Sequence, residues 1–240
     1  MRGHIEPEAL ASLSSEVVDA LLDAEGHPGE ANLVIHRAIG SGWVAGDIYL
    51  SVLPKVWHDI GERWHHGLIS VAEEHLATGV IQSTMRDLAR LLPRSPRTGR
   101  SIAIAAVVGE RHDNGPQMVA DLLDASGWDV IFAGAATPTN GFVQLISERR
   151  PDAVGLGITG RENLAALTRA VTAIKTRISD PPFILVGGQG APADAAFAAS
   201  IGADASASTA DEAVLALNRW IGVHGEIQTG TPVRAADLGP

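Results

Sequence analysis

Three groups of residues in this chain have the types and spacing to do chemistry. The first is the stretch Gly109-Glu110-Arg111-His112-Asp113-Asn114-Gly115. An imidazole is a good ligand for a borderline transition metal, and its second nitrogen needs a partner that fixes the tautomer. Glu110, two residues before His112, can supply that carboxylate, and Gly115 lets the backbone pass close to a bulky ligand. A surface-loop histidine followed by a turn glycine is the plainer reading of so short a pattern. The second group is Gly187-Gly188-Gln189-Gly190, where glycines allow a ligand to lie against the backbone. Neither a Walker pattern nor a dinucleotide fingerprint is present there, and a plain strand-to-helix turn fits as well. The third is Trp64-His65-His66 followed by Glu74-His75. An aromatic plane, an imidazole and a carboxylate would line one pocket if the two stretches faced each other across a helical hairpin. The alternative is a core tryptophan and a solvated Glu-His pair.

The elements that carry these groups divide the chain in two. Residues 8–92 read as helical. Leu10, Leu13, Val17 and Leu21 recur at helical spacing, and Val52, Val56, Ile60 and Trp64 form a second apolar stripe. Gly26, Pro28 and Gly29 punctuate the first helix, and Pro54 is placed to kink the third. Ser70-Val71-Ala72-Glu73 has the form of a capping box, which starts a fourth helix. Four helical segments joined by short turns predict a four-helix bundle. Residues 93–100 are a linker by composition, basic because it is solvated rather than because it binds anything. From 101 to 224 strands and helices alternate. Strands are expected at 101–108, 129–134, 153–158, 183–187 and 203–207, and helices near 116–126, 139–149, 162–178, 192–201 and 210–221. This alternation predicts a five-stranded parallel sheet covered on both faces, a flavodoxin-like (Rossmann-like) α/β domain. Its switch point would fall between the first and third strands, whose following loops carry His112 and Thr159. Residues 225–240 are expected to be a flexible tail.

Composition narrows the function classes. The chain has 240 residues, 45% of them hydrophobic, enough for a sizeable core. With 28 acidic against 18 basic residues its formal charge is -10, and no basic run offers phosphates a binding surface. There is no cysteine, which excludes disulfides, thiolate metal sites and thiol nucleophiles. No apolar stretch is long enough to span a membrane, and residues 1–7 lack the apolar core of a signal peptide. The expected location is the cytoplasm.

Taken together, the motifs resemble a known family. Glu110-x-His112-x-x-Gly115 closely resembles the cobalamin-binding signature, usually Asp-x-His-x-x-Gly, of B12 domains. The order of helical bundle, Trp64-x9-Glu74-His75, linker, Glu-x-His-x-x-Gly and Gly187-Gly188 resembles the CarH-type cobalamin-binding photoreceptor family across roughly residues 10–222. The resemblance implies adenosylcobalamin between the bundle and the α/β domain, with His112 replacing the nucleotide base as lower cobalt ligand. It implies that the nucleotide tail enters near Thr159 and the Gly187-Gly188 turn. Trp64 would cover the upper face beside the adenosyl group, Glu74 and His75 would complete that side, and His65 would take the upper cobalt site once light releases the adenosyl group. Photolysis of the cobalt–carbon bond would then drive a conformational or oligomeric switch read by a partner or a second copy of the chain. Two features depart from the pattern. Glutamate stands where aspartate is commoner, and Gly157-Ile158-Thr159 lacks the usual serine, for which Thr159 would substitute. The bundle begins almost at Met1, with no helix-turn-helix ahead of it, so no nucleic-acid binding is expected. The alternative is a corrinoid protein that carries methyl groups in a methyltransferase system, against which the capping Trp64 counts. On either reading the chain is not itself an enzyme.

Overall fold

The computed structural model of the protein describes residues 6–23 and 29–222. The expected tail at 225–240, and Gly26 and Pro28, lie outside the described residues. The chain divides into two compact units between Pro93 and Arg94.

The first unit is helical: α1 (Pro7–Leu22), α2 (Glu30–Gly40), α3 (Ala45–Asp47), a π-helical turn (Ile48–Val52), α4 (Leu53–His65) and α5 (Val71–Arg90). From α3 to α4 the backbone stays helical without interruption, so the unit has four rods, as the sequence predicts. Pro54 has no N–H to donate, and its ring would crowd the carbonyl four residues back. The wider π turn immediately before it relieves that crowding, and the backbone stays helical through Pro54. α1 packs on α2, α4 and α5. Leu13, Val17 and Val18 of α1 meet Val34, Ile35 and Ile39 of α2, Val52, Val56 and Ile60, and Ile81, Met85 and Leu88 of α5 in a buried core. The capping box at the start of α5 is formed: Glu73 N–H donates to Ser70 Oγ (3.2 Å), and Ser70 N–H to Glu73 Oε2 (2.6 Å).

The second unit is the α/β domain. Its strands are β1 (Ser101–Val107), β2 (Asp129–Thr137), β3 (Ala153–Gly157), β4 (Phe183–Gly187) and β5 (Ala205–Ala207). They alternate with α6 (Asn114–Ala125), α7 (Thr139–Arg149), α8 (Leu164–Arg177, after a 3-10 turn at Arg161–Asn163) and α9 (Ala195–Ile201), and α10 (Ala210–Trp220) follows the last strand. All strand pairs are parallel, in the order β2-β1-β3-β4-β5. Ala103, Ala105 and Val107 of β1, with Val154, Leu156, Ile184 and Val186, pack against Phe142, Leu167, Val171, Ile174 and Ala198 of α7, α8 and α9. The alternate residues Ile102 and Ile104 face the other side, where α6 and α10 pack on each other. In this order the chain leaves β1 toward one edge and returns through β3 toward the other, so the ends of these two strands form the switch point at which open α/β sheets bind ligands.

Two expectations are revised. β2 runs three residues past 134, because Gly134 (φ +84°) and Ala136 (φ +47°) bend the strand while its register on β1 shifts. Residues 94–100 are exposed, as a solvated connection requires, but they are also tied to the α/β unit. Ser95 and Thr98 N–H groups bond the Ala125 and Gly127 carbonyls (each 2.8 Å). Arg94 and Arg97 pair with Asp124, and Arg100 with Asp152 (2.7 Å). The basic residues are counter-ions to acids of the α/β unit, which composition alone does not reveal. Among the described residues, no helix is long and apolar enough to cross a membrane.

Gly157, at the end of β3, lets the first turn of α6 close onto the sheet: a Cβ there would stand 2.6 Å from Pro116 Cγ. Because the proline ring cannot turn aside, Gly157→Ala is expected to destabilise the α/β unit by about 1–3 kcal/mol, read as a lower urea midpoint. An unchanged midpoint would mean that α6 can shift freely.

Candidate functional site

The loop after β1 is shaped around one carboxylate. Gly109 takes φ +91°, a conformation that favours glycine, and Glu110 N–H returns to the Val107 carbonyl (2.9 Å). That turn folds the Glu110 side chain inward, where the residue is only 2% exposed. Oε1 accepts the His112 backbone N–H (2.9 Å) and faces His112 Nδ1 at 3.0 Å. Oε2 accepts the Thr159 N–H (2.7 Å), the Gly160 N–H (3.3 Å) and the Asn163 amide Nδ2 (3.0 Å). One side chain therefore ties the β1 loop to the β3 loop at the switch point. Burial by itself pushes the Glu110 carboxyl up. The hydrogen bonds from His112, Thr159 and Gly160 outweigh it and hold the pKa at about 2.

An ionised Glu110 only accepts hydrogen bonds, so His112 Nδ1 carries the proton and Nε2 is the nitrogen with a lone pair for a metal. The His112 side chain is 58% exposed. Among the described residues no group of three His, Asp or Glu side chains is arranged around a bare metal ion. A lone, carboxylate-backed imidazole is the donor set for a metal that arrives with its other ligands already in place. Gly115, in the first turn of α6, has nothing within 4 Å of where a Cβ would be, so space is open beside the histidine loop.

The glycines of the turn after β4 lie close to the protein's own backbone, as a tight strand-to-helix turn requires. At Gly187 a Cβ would run into the Ala207 carbonyl, and at Gly188 (φ +96°) into that of Ile158; at Gly190 it would stand 2.7 Å from the Gly160 carbonyl. The Ile158 N–H donates to Gly187 O (3.0 Å) and the Gly190 N–H to Ile158 O (3.3 Å). The protein's own backbone fills the space these glycines clear. Thr159 is exposed at the rim, with its N–H committed to Glu110.

In the helical unit the stripe of Val52, Val56 and Ile60 is buried, but Trp64, the next residue in the series, is 47% exposed. It is not a core tryptophan. Leu68, in the α4–α5 turn, and Val71 and Leu76 of α5 are exposed as well. His65 is exposed and lies edge-on to His66 (ring centroids 5.6 Å apart). Glu74 accepts the Thr78 hydroxyl at 2.8 Å and is 3.5 Å from His75 Nε2. Sequence reasoning missed Asn163, Gly109 and Gly157. Asn163 offered one cue, a helix-start residue type ahead of an apolar periodic run.

A helical unit is followed by a doubly wound sheet with a carboxylate-backed histidine at its switch point, a single imidazole donor for a cofactor metal. Two family models, each described as a B12 binding domain, match residues 13–88 and 100–218. The chain belongs to this cobalamin-binding family, and its donor set fits a corrinoid cofactor. It is similar to Dimethylamine corrinoid protein 3 of Methanosarcina mazei, 27% identical over 160 residues that cover 65% of this chain and 95% of that protein. It is also similar to the HTH-type transcriptional repressor CarH of Myxococcus xanthus, 26% identical over 58% of this chain and 46% of that one. The Methanosarcina barkeri monomethylamine corrinoid protein shares the fold, with a TM-score of 0.72 over 87% of this chain and 96% of that chain at 17% identity. The light-sensor family suggested by the motifs is thus one distant branch among the relatives.

Removing the Glu110 carboxylate strands five donors: the His112 backbone N–H and ring Nδ1, the Thr159 and Gly160 N–H groups and the Asn163 amide. Glu110→Ala is expected to cost about 1–3 kcal/mol at neutral pH. The wild-type pKa is depressed, so the carboxylate's stabilisation is full above about pH 4.5 and is lost as pH falls toward about 2. Urea midpoints of wild type and variant should therefore converge on acidification; a gap independent of pH would contradict the assignment.

Proposed function

We propose that this protein is a corrinoid protein that carries methyl groups between partner proteins and catalyses no reaction on its own. The observation that carries the cofactor assignment is the Glu110–His112 pair: a buried, ionised carboxylate at 3.0 Å fixing the ring of an exposed histidine. When bound, the corrinoid supplies a cobalt centre that can accept and give up a methyl group. His112 would hold the cobalt through Nε2, with Glu110 fixing its tautomer. Gly115 leaves room beside it, and Thr159 with the Gly187-Gly188 turn receives the nucleotide tail. Trp64, His65, Glu74 and His75 would be the helical unit's own cofactor-binding residues. The methyl-carrier reading is favoured over the sensor because the dimethylamine corrinoid relative is matched over 95% of its length and the CarH relative over 46%. Methylcobalamin is then the working form, and partner methyltransferases are needed at both ends of the transfer.

A second reading rests on one specific observation, the half-exposed Trp64 followed by Glu74-His75 at the sensor spacing. It makes the protein an adenosylcobalamin light sensor, with His65 as upper cobalt ligand after illumination.

Absorption spectra separate the two. The protein loaded in the dark with methylcobalamin is expected to show the cofactor without its own base on cobalt, and His112→Ala to lose that spectrum. The adenosylcobalamin complex should show no lasting two-nitrogen spectrum after green light. If such a spectrum forms, and His65→Ala abolishes it, the sensor reading replaces the methyl carrier. Failure to bind either cobalamin would overturn both.

A further inference from the structure

The segment that leaves the helical unit is exposed in its side chains but fixed in its backbone. Leu92 is buried at the end of that unit, with its N–H on the Ala89 carbonyl (3.4 Å). From Arg94 onward the chain is strapped to the turn that joins α6 to β2. The Ser95 N–H bonds the carbonyl of Ala125, the last residue of α6 (2.8 Å). The Thr98 N–H and hydroxyl both bond the Gly127 carbonyl (2.8 and 3.2 Å). The Arg97 guanidinium reaches the Trp128 carbonyl (2.7 Å) and Asp124 (3.0 Å), which also takes Arg94. Gly127 has φ +91°, and a Cβ on it would stand 2.1 Å from the Pro96 carbonyl oxygen, so the strap lies directly on this glycine. Asp124 is in the last turn of α6, where the helix dipole disfavours an anion. Its charge works against its own helix and is matched instead by the two arginines of the strap. Between Leu92, held in one unit, and Arg94, held on the other, only Pro93 intervenes, and the division of the chain falls beside it.

We propose that Pro93 is the pivot between the two units, and that the strap, residues 94–100, confines the tether between them to that single residue. One residue of tether spans about 3.5 Å, whereas a released strap would lengthen it to about 26 Å of extended chain. Because the proline ring fixes φ, the pivot also has fewer rotations than an ordinary residue. The functional consequence rests on the corrinoid reading, in which both units contribute residues to one cofactor. A short tether keeps the helical unit's residues at a high effective concentration, which falls roughly as the −3/2 power of tether length. Releasing the strap should therefore weaken cobalamin binding on the order of 10-fold.

Limited digestion with trypsin tests the strap, because Arg94 and Arg97 are exposed cleavage sites on a tied-down backbone. Two full-chain variants separate the strap from the tether. Asp124→Ala removes the counter-ion of both arginines and keeps both cleavage sites, and alanine suits the end of a helix well. Insertion of Gly-Gly-Ser between Pro93 and Arg94 lengthens the tether and leaves the contacts of the strap alone. In the cofactor-free protein, wild type and the insertion should both resist cleavage after Arg94 and Arg97. Asp124→Ala should be cut there about 10-fold faster, since cleavage follows the population of the opened segment. Nitrogen NMR should show the His112 ring with its proton on Nδ1 in all three proteins. Cobalamin affinity should fall on the order of 10-fold in Asp124→Ala and several-fold in the insertion. Cleavage of Asp124→Ala at the wild-type rate would overturn the strap. Wild-type affinity in the insertion would overturn the role of the tether. If wild type itself binds no cobalamin, the corrinoid reading fails, and the cleavage rates still decide whether residues 94–100 are strapped.

Discussion

Everything at the carboxyl end of the sheet is arranged around the buried carboxylate of Glu110. It receives the backbone of His112 and faces its ring with one oxygen, and gathers donors from Thr159, Gly160 and Asn163 with the other. A buried charge is costly unless its lone pairs are filled. Here they are filled from two loops that belong to different strands. The charge therefore acts as a clamp, because opening either loop would leave an anion without its donors. The same hydrogen bonds that keep the carboxylate ionised also decide the protonation of the imidazole, so structural and chemical roles share one side chain.

The clamp requires that backbones come close, and glycines make that possible. Gly109 supplies the left-handed turn that sends Glu110 inward, and Gly157 admits Pro116 at the end of β3. Gly188 brings the β4 turn against Ile158, the residue immediately before Thr159. The backbone N–H groups that hold Glu110 are thus buttressed from the next strand. Even the outer partner, Asn163, is placed by the turn that opens α8.

The helical unit follows a different logic. Its core is built from periodic apolar stripes, and its boundaries are set by a capping box and a π turn ahead of Pro54. One stripe outruns its core, leaving Trp64 at the surface beside Leu68, Val71 and Leu76.

The sequence by itself determined the architecture. Periods of two and near four residues, capping boxes and glycine punctuation are short-range signals, and they located the helices, the strands and their order. It also determined the donor pair, since Glu110 and His112 are two residues apart and meet within one turn. What it could not contain were contacts that depend on the chain returning to itself. The pairing of Arg94 and Arg97 with Asp124, the bent extension of β2 and the emergence of Trp64 from its stripe all required the packed structure. Glu110 shows the division most plainly. Its bond to His112 spans two residues and was legible, whereas its bonds to Thr159, Gly160 and Asn163 span 49, 50 and 53. No local pattern encodes those partners, because only the parallel pairing of β1 with β3 brings the two loops together.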